Sequence, residues 1–553
     1  MGIGLDDLKA IFSFIGGLGL FLYGMHLMAD GLQKSAGEKT KRFMGYLTNN
    51  RVLGVIVGAL ITAIIQSSSA TTVMVVGFVN AGLLSLTQAV GVIMGANIGT
   101  TMTAWLVSMS EWGSIFKPEF FAPLLVGIGA VLLLFGKSQR KQEAGSILIG
   151  FGILFLGLES MSGAIKPYSD APIFATAFSV IGSNPLLGIA VGLIVTAIIQ
   201  SSSASLGILQ TLAMNGVVTW NSAVFIALGQ NIGTCVTAML SAVGASRNAK
   251  RAAIIHFLFN SIGAVIFGAI FTIYFMINPL MGTANVNSVQ LALFHTCFNV
   301  LNTIVLFPFA AKLVTLSEHL LKDHKEPQEE TLTLALDPRI LEAPGFAMES
   351  AGQEVNHMAS IVMKNVETSR KAFVDRNEKR IKEVFENEDL VNRFEKELTS
   401  YLIHIEASTL SDHQQLQQRH LLYVVSDLEH ISDRCKNLAE LSEQMMREDN
   451  NFSIGGYEDL ENMCNQCLCT LKTAVNYWKD PKQNELYDQA VKSEELVNEM
   501  ETQLRDKHIR RLSQRKCKVE SGVIFLDAIS NLERISDYAM HIAEYAREEA
   551  ALS

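Results

Sequence analysis

The sequence predicts an all-α protein in two parts: a polytopic membrane domain of inverted repeats with two re-entrant hairpins, then a soluble pair of three-helix bundles. Three observations carry this. No Asp, Glu, Lys or Arg occurs over residues 52–110, 171–246 or 252–311 of the 553-residue chain, and a bilayer crossing needs only about 20 apolar residues. The nonapeptide TAIIQSSSA stands at residues 62–70 and again, identically, at 196–204, while NIGT stands at 97–100 and again at 231–234, so both motifs repeat at an offset of 134 residues. Two polar motifs in common register, each inside apolar sequence, indicate an internal duplication that builds one site from two halves. From about Glu318 onward the chain turns rich in Glu, Lys, Arg and Gln with apolar residues at helical spacing, which marks amphipathic helices in water.

In chain order, spans are expected near 10–32, 87–109, 121–136, 145–165, 221–243, 252–274 and 287–314. Segments 52–82 and 185–217 are apolar with Ser-rich centres. They read as re-entrant hairpins or broken helices, because irregular backbone at membrane depth survives only where protein or a watery cavity surrounds it. The repeats fall at about 10–136 and 145–314, within a membrane domain of residues 1–316. The N-terminus lacks a basic n-region, so the first apolar segment is expected to stay in the mature chain.

Charge orders the loops. Lys34, Lys39, Lys41, Arg42 and Arg51 lie in one loop, Lys137, Arg140 and Lys141 in a second, Arg247, Lys250 and Arg251 in a third, and the alternate loops carry little positive charge. Basic loops face the cytoplasm. Seven crossings plus two hairpins then place the N-terminus outside and the C-terminal part in the cytoplasm. An odd number of crossings separates the repeats, so the second is inverted relative to the first and the hairpin tips are expected to meet near the midplane.

Each tip offers a Gln, three Ser and a further hydroxyl: Gln66, Ser67, Ser68, Ser69 and Thr71, then Gln200, Ser201, Ser202, Ser203 and Ser205. Adjacent serines compete with the backbone hydrogen bonds of a helix. A break there exposes a half-helix N-terminus whose N–H groups and dipole attract an anion, while freed carbonyls and hydroxyls suit a hard cation such as sodium. Asn97 and Thr100, with Asn231 and Thr234, extend the scheme, their intervening glycines permitting local unwinding. Weaker signals are Glu159, aligned with His26, and the pair His256-x-x-Phe259-Asn260 and His295-x-x-Phe298-Asn299, whose expected role is hydrogen bonding between helices.

The twin QSSSA motifs, each followed by NIGT, resemble the sodium–phosphate cotransporter family of the type II kind and its shorter bacterial relatives, over approximately residues 10–315. The resemblance implies sodium-coupled movement of inorganic phosphate by alternating access, with the hairpin serines and Gln66/Gln200 lining the site. From the residues alone, sulfate or a dicarboxylate also suits such a site, and so does a phosphate receptor that transports little. Import and export stay open, as do sodium stoichiometry and oligomeric state, a homodimer included. A net charge of −10 argues against nucleic acid as a partner. The chain carries no Walker A, HExxH or GxSxG signature, so no enzyme is expected.

Residues 317–343 read as a linker and 344–553 as six long helices in two groups of three, with breaks near Ser411-Asp412, Asp449–Tyr457 and Asp480-Pro481. This half is duplicated too, since Asp427-Leu428-Glu429-His430-Ile431-Ser432-Asp433 matches Asn531-Leu532-Glu533-Arg534-Ile535-Ser536-Asp537. Glu429 and Asp433 share a helix face, as do Glu533 and Asp537, and a bound metal would relieve their repulsion. The half resembles the PhoU family, a twofold repeat of three-helix bundles tied to phosphate signalling. That resemblance implies a cytoplasmic regulatory domain, phosphate-signalling partners, and a divalent or iron-type metal at Asp427, Glu429, Asp433, Glu533 and Asp537. Asn531 departs from the acid at Asp427 and weakens the second set. The seven cysteines, an odd number, read as free thiols, and the bacterial plasma (inner) membrane is the expected location.

Overall fold

The computed structural model describes residues 4–46, 50–113, 117–169, 171–322, 334, 336–342, 344–406, 410–514 and 518–552. It is 88% helical and divides into two compact units, Met1–Phe346 and Ala347–Ser553. Cys517 lies outside the described residues, and the other six cysteines are free thiols.

The first unit runs α1 (Leu5–Tyr46), α2 (Arg51–Ile65), α3 (Ser68–Asn80), α4 (Leu86–Ser108), α5 (Pro118–Phe135), α6 (Gln139–Ile165), α7 (Pro172–Ser183), α8 (Pro185–Ile199), α9 (Ser202–Met214), α10 (Trp220–Ser241), α11 (Arg247–Ile277), α12 (Pro279–Thr283), α13 (Ser288–Leu306) and α14 (Ala310–Leu320). Six helical segments are long and apolar enough to cross a bilayer: Leu5–Ser35, Leu86–Glu111, Gln139–Tyr168, Trp220–Ser241, Arg247–Ile277 and Ser288–Leu320. The remaining expected span, α5, is a shorter apolar helix, and the α7–α8 pair bends by 113° at Asn184. Exposed Ile15, Leu134, Ile198, Val265 and Met276 on these helices are what a lipid-facing surface requires. Chain polarity alone misplaces the end of α1, which continues to Tyr46 through the basic stretch expected as a loop.

The duplication is visible in the elements: α1 and α6, α2 and α8, α3 and α9 each begin 134 residues apart. Their relative direction is fixed by glycine. A Cβ on Gly17 would strike Gly157 and Met161, and one on Gly24 would strike Gly150 and Leu154. As one helix advances its partner retreats, so the equivalent helices α1 and α6 pack antiparallel. Equivalent elements packed antiparallel with exchanged contacts are related by a pseudo-twofold axis, the geometry of an isologous contact, and one repeat is therefore inverted relative to the other.

Glycine also seats each hairpin arm. On α4, Gly91, Gly95 and Gly99 form a stripe against the carbonyls of Arg51, Val55 and Ala59 on α2, and on α10 Gly229 and Gly233 meet Ile189 and Leu193 of α8 in the same way. Small residues let membrane helices approach backbone to backbone. After α14, a short 3-10 helix at Pro338–Glu342 packs on the end of α3, where Asp337 accepts from Asn80 at 2.6 Å and pairs with Arg339 at 2.8 Å.

The second unit begins within the first turn of α15 (Pro344–Asp375) and holds the rest of it with α16 (Glu378–His404), α17 (Asp412–Arg447), α18 (Ile454–Lys479), α19 (Asn484–Ser513) and α20 (Val519–Leu552). Asn365 of α15 donates to Ser432 at 3.1 Å, and Ser536 donates to Thr470 of α18 at 3.3 Å, equivalent bonds in the two three-helix groups.

Gly95→Val drives a side chain into the Val55 carbonyl, whereas Gly16→Val meets nothing within 4 Å. Thermal unfolding in detergent should show Gly95→Val destabilised by about 1–3 kcal/mol, the usual cost of overpacking, and Gly16→Val near wild type; equal midpoints would contradict the close α2–α4 packing.

Candidate functional site

Both hairpins break at the same place in the same way. Helix α2 ends at Ile65, Gln66 takes a left-handed conformation (φ 55°, ψ 22°), Ser67 is extended, and α3 starts at Ser68. In the second repeat Gln200 (φ 56°, ψ 23°) and Ser201 do the same between α8 and α9. Positive φ is costly for a non-glycine residue and persists only where the surroundings enforce it. Here Ser67 Oγ caps the N–H of Ala70 at 3.1 Å and Ser201 Oγ caps that of Ala204 at 3.2 Å. Thr62 donates to Thr71 at 3.0 Å and Thr196 to Ser205 at 2.9 Å, tying each arm to its mate. The serines thus act as N-caps, and the N–H groups of Ser68, Ser69, Ser202 and Ser203 are left among those a helix start cannot pair internally.

The two tips meet. Ser68 Oγ and Ser202 Oγ, equivalent residues, lie 3.2 Å apart and both are buried. Thr103 of α4 joins the halves, donating to Gln66 Oε1 at 3.1 Å and accepting from Ser203 Oγ at 3.3 Å. Around the contact is a recess of about 240 Å³ lined by Gln66, Ser67, Ser68 and Ser69, by Gln200, Ser201, Ser202 and Ser203, and by Leu22, Met25, His26 and Ala29 of α1. It holds no carboxylate, only hydroxyls, amides, helix N-termini and one imidazole. Thr71 and Ser205 stand behind the tips in the hydroxyl pairs.

The NIGT motifs do something other than unwind. They sit in unbroken α4 and α10, and their glycines are packing points against α2 and α8. Thr100 and Thr234 donate to carbonyls of their own helices at 2.9 and 3.0 Å. Asn97 donates to Ile93 O at 3.2 Å, while Asn231 donates to Asn299 at 2.8 Å and faces His295 Nε2 at 3.2 Å. None of the four lines the recess. Of the His and Asn pair of the sequence, His295, Asn299 and Asn260 bond between helices, the last reaching Cys235 Sγ at 3.4 Å, whereas neither ring nitrogen of His256 has a partner among the described residues. Thr103, Leu22, Met25 and Ala29 carry no motif that marks them, His26 stands out in sequence only by its alignment with Glu159, and only the packing brings them to the tips.

In the soluble unit the acidic residues divide. Asp427 faces α20, 3.6 Å from His541, and burial pushes its carboxyl upward while His541 opposes this. Glu429 is raised by burial and by Asp433 and Glu395 against the pull of His430. Glu533 is raised by burial and then by Asp537, and Asp537 by burial. Among the described residues no group of three or more His, Cys, Asp or Glu is placed to hold a metal ion. Residues 427 and 429 lie on different faces of α17, so the expected ligand set does not converge.

A carboxyl raised in the folded state binds more protons there than in the unfolded chain, so stability falls as pH rises through the folded value. Glu533→Gln should therefore raise the soluble unit's unfolding midpoint at pH 7.5, with the gain vanishing near pH 4 in calorimetry of the full chain; an equal gain at both would contradict the raised carboxyl.

Comparison with known proteins follows the same division. The Na+/Pi-cotransporter family matches residues 20–163 and 171–298, and the PhoU domain matches 355–442 and 460–546. YjbB of Escherichia coli K12, named for inorganic phosphate export, is 23% identical over 535 residues, covering 96% of each chain. The uncharacterized protein YqeW of Bacillus subtilis strain 168 is 32% identical over 256 residues, covering 46% of this chain and 81% of that one. The crystal structure of PhoU from Pseudomonas aeruginosa aligns with 38% of this chain and 99% of its own at 18% identity, with a TM-score of 0.36. The chain belongs to the Na+/Pi-cotransporter family, a family of transporters and not of enzymes, and carries PhoU domains at its C-terminal end.

Proposed function

We propose that this protein is a sodium-dependent transporter of inorganic phosphate in the bacterial inner membrane, alternating access around the recess where the two QSSS tips meet. The single observation that carries the reading is the buried contact of Ser68 with Ser202, which points two half-helix N-termini at one place. Phosphate would be held by the free N–H groups and hydroxyls of Ser68, Ser69, Ser202 and Ser203, with Gln66 and Gln200 beside it. Dipoles and hydroxyls hold an oxyanion without a fixed countercharge. The hydroxyl pairs Thr62–Thr71 and Thr196–Ser205 offer oxygen ligands of the kind a hard cation takes, and sodium enters as cargo there. The NIGT residues Asn97, Thr100, Asn231 and Thr234 then support the tips from behind.

Access follows from broken symmetry. The recess borders Leu22, Met25 and His26 of α1, whereas the aligned α6 residues Phe155 and Leu158 are fully buried. Exchanging the roles of α1 and α6 would open the site to the other face, as inverted repeats permit. The charge of the basic loops supports an N-terminus outside and a PhoU-like domain in the cytoplasm, where it would regulate flux with phosphate-signalling partners. The name of the YjbB relative supports export, while the family description couples sodium to phosphate. A metal in the soluble domain takes no part in this mechanism, and a homodimer is compatible with it.

Proteoliposomes loaded with labelled phosphate test the reading. Flux should need sodium, fall to background when potassium replaces it, and resist excess sulfate. Ser68→Ala with Ser202→Ala should abolish flux in protein that still inserts and elutes as a folded particle. Normal flux in that variant, or flux indifferent to sodium, would overturn the proposal.

A further inference from the structure

The α17–α20 crossing of the soluble unit has two ends that the duplication makes equivalent, and their chemistry differs. At one end His420 meets Glu548 at 3.3 Å, Asp427 meets His541 at 3.6 Å, and the rings of His430 and Tyr538 lie 5.1 Å apart. Each step forward along α17 is matched by a step back along α20, so the helices are antiparallel in fixed register. Continuing that register past the axis places Arg434 opposite Arg534 and Asn437 opposite Asn531. All four line one groove of about 700 Å³, with Ser530 and Tyr538.

Under the sequence repeat, Asn531 takes the place of Asp427 and Arg534 that of His430. The acid that faces a histidine at the first end is thus an amide at the second, in a groove that Arg434 and Arg534 line from opposed register positions. Neither arginine has a firm carboxylate. Arg434 stands 3.9 Å from its sequence neighbour Asp433, and Arg534 stands 3.7 Å from its neighbour Glu533. The Nε of Arg434 is buried without a hydrogen-bond partner among the described residues. Two facing cations repel, and an anion between them converts repulsion into charge-assisted, bidentate hydrogen bonds. Further along the groove lie Arg447, Glu440, Glu443 and Asp527. The groove therefore offers two arginines at one end and three carboxylates with a third arginine, Arg447, at the other, in a volume suited to a small organic ligand.

We infer that this groove binds a nucleotide, its phosphoryl group between Arg434 and Arg534, its amino-bearing base toward Glu440, Glu443 and Asp527. The site is independent of the membrane recess and of any metal. It gives the soluble unit a small-molecule input of its own, on the face where the duplicated motif has lost its acid.

Titration calorimetry on the full chain in detergent tests this, with AMP and ATP as probes. Both should bind, and Ser68→Ala with Ser202→Ala should bind them unchanged. Asn531→Asp returns the acid at nearly constant shape, pairs the arginines internally, and should weaken binding at least about tenfold. Arg434→Gln with Arg534→Gln should remove it, and Arg434→Lys with Arg534→Lys should restore part of it. Failure of both nucleotides to bind, or affinity unchanged by Asn531→Asp and by the double Gln variant, overturns the inference. Displacement of AMP by inorganic phosphate at equal concentration would show that the base contributes nothing, and would overturn the nucleotide class.

Discussion

Two left-handed glutamines stop two helices in the middle of an apolar domain, and most of the membrane unit is arranged to keep them there. Gln66 and Gln200 share nearly the same dihedral angles, each followed by a serine that caps the next helix. The interruption opens helix N-termini where no charged residue is present, and the hydroxyl pairs Thr62–Thr71 and Thr196–Ser205 hold the arms so that the openings converge. Without the break, the same residues would be ordinary hydroxyl-bearing helix surface. With it, they form a recess whose lining has hydroxyls and amides but no carboxylate, lysine or arginine.

Convergence depends on inversion, and inversion depends on close packing. The antiparallel seat of α1 on α6 through Gly17, Gly24, Gly150 and Gly157 relates the halves, and the glycine faces of α4 and α10 bring each hairpin arm within backbone distance. These are sites where any side chain would push helices apart. The soluble unit repeats the logic in water, with its own duplicated bundles antiparallel across α17 and α20. There the two halves have diverged more, and the divergence at Asn531, Arg434 and Arg534 is chemical, not architectural.

Much of this was legible in the sequence, and the reasons differ by element. The tips could be read because an identical polar nonapeptide inside apolar sequence has few physical explanations. Inversion followed from loop charge and parity, and the packing of α1 on α6 agrees. The NIGT motifs were legible as a repeat but not as to role, because a glycine that unwinds a helix and one that lets helices touch look alike until a neighbour is placed. The bridging Thr103 and the α1 wall of the recess were hidden, and His26, marked in sequence by its alignment with Glu159, could not be assigned to the tips, because their contribution is wholly tertiary. In the soluble half, spacing put Glu429 with Asp433 on one face, yet it could not show that Asp427 turns to His541, nor that Arg434 and Arg534 line one groove.

The central claim is that the two tips touch across the pseudo-twofold axis. Disulfide trapping tests it most directly, with cysteines replacing Ser68 and Ser202 in a background lacking the native thiols. Mild oxidation should link the pair rapidly in membranes, as expected for side-chain oxygens 3.2 Å apart, while Ser68→Cys paired with a cysteine at Ser222 should stay reduced. No link at 68–202 under conditions that oxidise a control pair would contradict the account.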